Sequence, residues 1–323
     1  MLTTDQILEH RDYALGGVNL SGFGEIGRGK VRDFYELDSQ RRLVVTTDRQ
    51  SAFDRILGLI PFKGQVLNQL SQFWFEQTAD LVPNHLLALP DPNVSVVKRA
   101  EMFPVEVIVR GYLTGVTDTS LWVMYQEGRR EMYGLQFPDG LSKNQPLPAP
   151  LITPTTHAEL GGHDRPLSRA EILREGLVAP EHWQAIEQAA LAVFARGQEI
   201  ASRAGLILVD TKYEFGLIEG KVALVDEVHT PDSSRYWLAE TYHPKFEQGQ
   251  EPDNFDKELL RLWMREQGFR GDGPPPALTD DIVARLSQRY QACYEKLTGL
   301  TFEVDFSLKP EDRISQNLKK AGL

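Results

Sequence analysis

The chain has 323 residues, 41% hydrophobic and 25% charged, with a formal net charge of -11. This is the composition of a globular protein with a core large enough for two or more lobes, and its acidic balance argues against a broad nucleic-acid or anionic-membrane surface, which needs a basic footprint. A single cysteine, Cys293, excludes an intramolecular disulfide and a cysteine-built metal cluster, and no apolar run reaches the roughly 18–20 residues of a bilayer span.

In chain order, MLTTDQILEH lacks the basic and apolar regions of a signal peptide. A cytoplasmic setting is therefore expected. Thr4 or Asp5 caps a first helix carrying Ile7 and Leu8. Next comes SGFGEIGRGKVRDFYEL, in which Gly22, Gly24 and Gly27 fit G-x-G-x-x-G. The dinucleotide fingerprint needs a strand before and a helix after, whereas 16–20 make a poor strand and 31–37 read as one. The alternatives are a glycine-rich flap over phosphates, with Arg28, Lys30 and Arg32 offsetting charge, or a flexible basic hairpin.

The apolar run 43–46 enters TTDRQSAFD, a polar turn that either holds a ligand or bonds to itself through Asp48, Ser51 and Asp54. Val66, Leu67, Leu70, Phe73 and Trp74 have the spacing of a buried helix face. Residues 94–97 and 104–109 read as strands. In PVEVIVRGYLTG, Glu106, Ile108 and Arg110 share one face. Arg110 either grips a carboxylate or phosphate through paired hydrogen bonds, or pairs with Glu106. The proline-rich 138–154 reads as an exposed crossing segment. His157, His163 and Asp164 fit no standard zinc spacing. Ser168 and Glu171 form a capping box, and Pro180 starts a long amphipathic helix ending near Gly205.

That helix feeds LILVDTKYEFGLIEGKVALVDE, residues 206–227, which reads as a hairpin. Asp210, Lys212 and Glu214 alternate along its first strand and share a face. With 219–221 as a three-residue loop, Glu214 faces Asp226, a pair suited to magnesium. A two-residue loop would set Glu214 opposite Val225. Alternation alone equally describes a hairpin with one solvated face. Beyond it lie a polar loop, 229–237, helices over 257–267 and 280–297, an edge strand over 301–306 and a last helix from Pro310. The tail from about Phe255 shows no chemical constellation.

IGRGKVRDFYEL, TTDRQSAFD, PFKGQVLNQLSQFWF, FPVEVIVRGYLTG, LVDTKYEFG and DEVHTPDSSRYW occur here in one order. Over about 27–237 that order resembles the phosphoribosylaminoimidazole-succinocarboxamide synthases (SAICAR synthetases). The resemblance implies an α+β fold: a kinase-like or ATP-grasp-like two-lobed ATP-binding architecture with antiparallel sheets and a helical C-terminal extension. The lobes are expected at 1–103 and 104–254, with the extension over 255–323. It implies a ligase of de novo purine biosynthesis. ATP and Mg2+ would serve to join L-aspartate to the carboxylate of 5-amino-1-(5-phospho-D-ribosyl)imidazole-4-carboxylate (CAIR). Small-molecule partners and a monomer or small homo-oligomer are expected. A small-molecule kinase on the same scaffold and a non-catalytic nucleotide-binding protein are the alternatives.

The roles that go with the resemblance are these. Glu214 and Asp226 hold magnesium. Lys30, Arg32 and Lys212 neutralise phosphoryl charge, with backbone amides near Gly29 closing over it. Asp210 orients Lys212 or a substrate amine. Met102 and Phe103 lie by the adenine, with Glu106 on the ATP side. Arg110, Ser120 and Arg235 hold the ribonucleotide's phosphate and carboxylate, Asp54 and Lys63 lie near its imidazole, and His157, Asp164 and Ser234 contribute to the aspartate site. Two departures from the family pattern stand out. Val116 follows Gly115 where a serine is usual, leaving Ser120 or Thr117 to supply it, and His157 stands where lysine is common.

Overall fold

The computed structural model describes all residues except 53–54, 118, 158–163, 270 and 272. Its architecture is mixed α/β with antiparallel sheets. A five-stranded sheet runs in the spatial order Gly27–Arg28, Arg32–Glu36, Arg41–Thr46, Val94–Lys98, Leu86–Asp91. A seven-stranded sheet is built around Leu206–Ile218. The strand Val105–Leu113 pairs with its 210–213 stretch, and Ser234–Leu238, Lys221–Val225 and Glu101–Met102 complete its neighbours.

The prolines of 138–154 do not keep that segment out of the sheet. Gln145–Ile152 pairs with Val105–Leu113 as an edge strand, its register shifting between Pro146 and Leu151. An edge position and an irregular ladder are where a residue without an N–H is tolerated. Residues 301–306, expected as an edge strand, pair with no strand; Phe302 is buried in the main core instead. Helices Leu121–Gln126 and Ala239–Glu247 were not legible beforehand.

The long strand carries a bulge that explains its mixed pattern. Its register against Ser234–Leu238 shifts between Leu208 and Asp210. Leu206 and Leu208 point into the main core, and so do Tyr213 and Phe215, although the two pairs have opposite parity. Val209 packs on the other side with Trp237 and Tyr242. One extra residue switches faces, so the apolar root and the aromatic residues share one core while Asp210, Lys212 and Glu214 turn away from it. Helix Pro180–Arg203 covers the core face with Trp183, Ile186, Val193 and Phe194.

The hairpin turn corrects the expected register. Glu214 pairs with Val225 and Ile218 with Lys221, leaving a two-residue turn. Glu219 (φ 52°) and Gly220 (φ 75°) are both left-handed, as a type I′ turn requires, and that turn matches the twist of the flanking strands. The last helices pack back onto the amino-terminal half. Asp280–Thr298 lies on Lys63–Gln77, and Pro310–Lys320 lies on Leu86–Asp91, with Arg313 bonding Asp91 (3.1 Å) and Asn93 (2.6 Å).

Candidate active site

Two charged clusters sit on one face of the long strand. In the first, Lys212 Nζ donates to Glu106 Oε1 (2.9 Å) and Glu214 Oε1 (2.5 Å). Burial alone would lower this ammonium's pKa, but Glu214, then Glu106 and Asp226, raise it well above the usual lysine range. Lys212 is thus a fixed positive charge at any working pH. The register error does not separate Glu214 from Asp226. Asp226 lies one residue past Lys221–Val225 with φ 62°, and its carboxylate still feels the charge of Glu214. Burial raises its pKa, Arg32 opposes, and the Glu214 charge raises it further. Arg32 bridges Asp226 (3.0 Å) and Glu227 (2.8 Å).

The second cluster lies two residues up the strand. Asp210, buried, accepts from Arg235 and from Arg110 (3.5 Å). Arg110 also donates to Thr153 Oγ1 (2.8 Å) and the Thr119 carbonyl (3.3 Å). Neither pairing offered from the sequence survives: Arg110 pairs with Asp210 rather than Glu106, and Asp210 holds the two arginines rather than Lys212. Asp210 and Arg110 are opposite each other across the ladder, whereas Glu106 is two strand repeats away from Arg110 and is taken by Lys212. Ser120 is brought to this cluster. A Cβ on Gly115 would lie 2.4 Å from Ser120 Cβ and 3.3 Å from Arg235 Nη2, so only glycine fits between them. The Ser120 hydroxyl donates to the Thr117 carbonyl (2.6 Å). A cavity of about 210 Å³ adjoins, lined in part by Thr114, Gly115, Lys143, Arg235 and Glu258.

Other expected residues fall elsewhere. The Gly29 N–H donates to the Arg32 carbonyl (2.8 Å), so the turn uses the amide expected to face phosphate. The Lys30 carbonyl accepts from Arg49 (3.1 Å). Met102 is exposed, and Phe103 packs against the His182 ring with centroids 5.7 Å apart. Lys63 is fully buried, donating to the Arg49 carbonyl (2.7 Å) and Asp232 (3.2 Å). It therefore serves an internal ion pair and joins neither cluster. The Ser234 hydroxyl donates to Thr211 Oγ1 (2.8 Å). Asp164 is half-buried, and Asp54 lies outside the described residues.

The tail from about Phe255 supplies charged and polar partners to the loop 229–237. Lys257 lies 3.7 Å from Asp232, and the Tyr290 hydroxyl donates to the same carboxylate (2.7 Å). Burial would raise the Asp232 pKa, but Lys257, Lys63 and Tyr290 hold it well below the usual carboxylate range. Burial pushes Lys257 down to about 8. Glu258 sits 3.8 Å from Arg235 Nε. The run Asp256-Lys257-Glu258 at a helix start was the available signal. Its meaning depended on the distant loop 229–237, which sequence spacing cannot supply.

The strand face thus presents a lysine held between two carboxylates and, two residues away, an aspartate shared by two arginines, a charge arrangement suited to anionic ligands. The SAICAR synthetase family model matches residues 25–275. A phosphoribosylaminoimidazole-succinocarboxamide synthase of Legionella pneumophila (strain Paris) is 51% identical over 302 residues, 92% of this chain and 96% of its own. The chloroplastic synthase of Arabidopsis thaliana is 48% identical, covering 91% of this chain and 72% of its own. The SAICAR synthase of Saccharomyces cerevisiae, solved in complex with SAICAR, superposes with a TM-score of 0.77 at 33% identity, over 90% of this chain and all of its own. The chain belongs to the SAICAR synthetase family, a family of ATP-dependent ligases.

Proposed function

We propose that the chain joins L-aspartate to the carboxylate of CAIR, giving SAICAR, ADP and phosphate, by way of an acyl phosphate. An amine cannot expel oxide from a carboxylate. Transfer of the γ-phosphoryl group from ATP to a carboxylate oxygen releases ADP and converts that oxygen into part of a leaving group. The aspartate nitrogen then attacks the acyl carbon, the carbon–oxygen bond breaks, phosphate departs and the amine gives up a proton. The protein's work is positioning and charge neutralisation.

The observation that carries this reading is the placement of both clusters on one strand face, with Asp210, Lys212 and Glu214 alternating. In β geometry this sets successive groups roughly 6.5 Å apart. Lys212, held charged, faces the transferring phosphoryl group. Arg110 and Arg235, with Ser120 beside them, hold the ribonucleotide's phosphate and carboxylate. Glu214 and Asp226 are hard oxygen donors sharing one field, so they fit Mg2+. When bound, that ion offsets ATP phosphate charge. Lys30 and Arg32 line the phosphate side by Gly29, Met102 and Phe103 the adenine side, and Asp164 and Ser234 the aspartate side.

The two-lobed kinase-like or ATP-grasp-like reading, with lobes at 1–103 and 104–254 and an extension over 255–323, is supported by the separate antiparallel sheets. Among the described residues no helix is long and apolar enough to cross a membrane. A cytoplasmic monomer or small homo-oligomer belongs to the same proposal. The test is ADP release from purified protein given ATP, magnesium, CAIR and L-aspartate. The reading requires release that depends on aspartate. Equal release without aspartate points to a kinase, and binding of ATP without turnover to a non-catalytic protein.

A further inference from the structure

One group expected at the aspartate site, His157, stands at the first cluster. Thr155–Thr156 pairs with Val105–Leu113, Thr155 opposite Glu106. That pairing carries the next residue, His157, alongside the acid: its Nδ1 lies 3.7 Å from Glu106 Oε1. Ligand atoms of Glu106, His157 and Glu214 all lie within 4.8 Å of one another. Glu106 and Glu214 lie on neighbouring strands of one sheet, His157 follows directly on Thr155–Thr156 with its N–H donating to the Pro104 carbonyl (3.3 Å), and its side chain is just over half exposed. The His157 charge also reaches Asp226, so the imidazole belongs to the same field as the acids.

This donor set differs in kind from that of Glu214 and Asp226. Two carboxylates suit magnesium, whereas an imidazole nitrogen added to carboxylate oxygens favours first-row transition ions, with affinity rising from Mn2+ through Co2+ to Cu2+. We propose that Glu106, His157 and Glu214 form a binding site for a divalent transition ion, with His157 the ligand that selects it over magnesium. The inference rests on the reading of Glu214 as a metal-holding acid and extends it to a different ion. Lys212 competes for the site, because its ammonium lies between the two carboxylates at 2.9 and 2.5 Å. The ammonium and a divalent ion cannot both sit between these carboxylates, so removing the ammonium should strengthen binding.

The experiment is Mn2+ binding to the full chain without nucleotide, followed by electron spin-echo modulation of the bound ion. Bound Mn2+ should show 14N coupling from imidazole. That coupling should vanish in His157→Ala and His157→Lys, with Mn2+ affinity falling at least about tenfold, the size seen when even an outer partner of a metal ligand is lost. Lys212→Met should tighten Mn2+ binding, and circular dichroism checks that each variant is folded. Three results overturn the proposal: no Mn2+ binding, Mn2+ bound without 14N coupling, or coupling that persists in His157→Ala. The ligase reading is judged apart from these, by magnesium-supported, aspartate-dependent ADP release. Bound Mn2+ lacking 14N coupling but weakened by Glu214→Gln would overturn the role of His157 and leave the acid pair standing.

Discussion

Asp210→Asn keeps the shape of the side chain and removes the charge that two arginines share. The side chains of Arg110, Asp210 and Arg235 are only 7%, 7% and 13% exposed. At the 3.5 Å separation of Arg110 and Asp210, a pair of unit charges interacts by about 5 kcal/mol at an effective dielectric of about 20. Stranding a buried partner typically costs about 3–5 kcal/mol. Arg110 keeps Thr153 and the Thr119 carbonyl, and Arg235 keeps Glu258 at 3.8 Å, which places the expected loss near the low end, about 3 kcal/mol. For a chain of this length that is a Tm drop of about 4 °C. Urea unfolding followed by tryptophan fluorescence measures the loss directly. If the arginines are a phosphate site, inorganic phosphate should also stabilise Asp210→Asn more than the unaltered chain, because it replaces the missing anion. A loss under about 1 kcal/mol, or equal stabilisation of both proteins by phosphate, would refute the reasoning.

Three further outcomes follow from the same geometry. A Cβ on Gly216 would lie 2.8 Å from Ala100 Cβ and 2.9 Å from the Glu101 carbonyl. Gly216→Ala should therefore displace Glu101–Met102 at an overpacking cost of about 1–3 kcal/mol. An ATP titration should show KM raised about tenfold or more; an unchanged KM would remove Met102 from the adenine side. Glu214→Gln should cripple turnover and weaken its magnesium dependence, and an unchanged magnesium titration would sink the metal role of Glu214. His229 is buried, and burial pushes its imidazole down to about 3 from 6.5. Unfolding lets it take a proton near 6.5, so its contribution is full above that pH and is lost as pH falls towards 3. Between pH 6 and 4 the unaltered chain should lose up to about 1.4 kcal/mol per pH unit more than His229→Gln, and equal slopes in urea titrations would contradict a neutral buried imidazole.

The long helix, the long strand and its acid-lysine-acid face were legible because each is local: periodicity, a capping box and alternation all act within a few residues. The parity switch at Val209 was not, since a bulge is set by the partner strand. The hairpin turn itself was legible, but the choice between its two registers was not, because it rests on Glu219 adopting a left-handed conformation unusual for a residue other than glycine. Arg110 illustrates the same limit. Its residue type pointed to an anion, but its partner lies 100 residues away, and Glu106, close in sequence, was already claimed by Lys212. Lys257 and Tyr290 show the converse. Read alone they are an ordinary helix start and an ordinary helix aromatic, and they gain meaning only when folding sets both against Asp232.

The central claim is that a substrate carboxylate oxygen is phosphorylated and then leaves with the phosphate. It is tested most directly with CAIR whose carboxylate carries 18O, turned over with ATP, magnesium and L-aspartate. The account predicts one 18O in the inorganic phosphate for every amide formed from doubly labelled carboxylate, and none in the ADP. Phosphate free of 18O, with amide still produced, would contradict it.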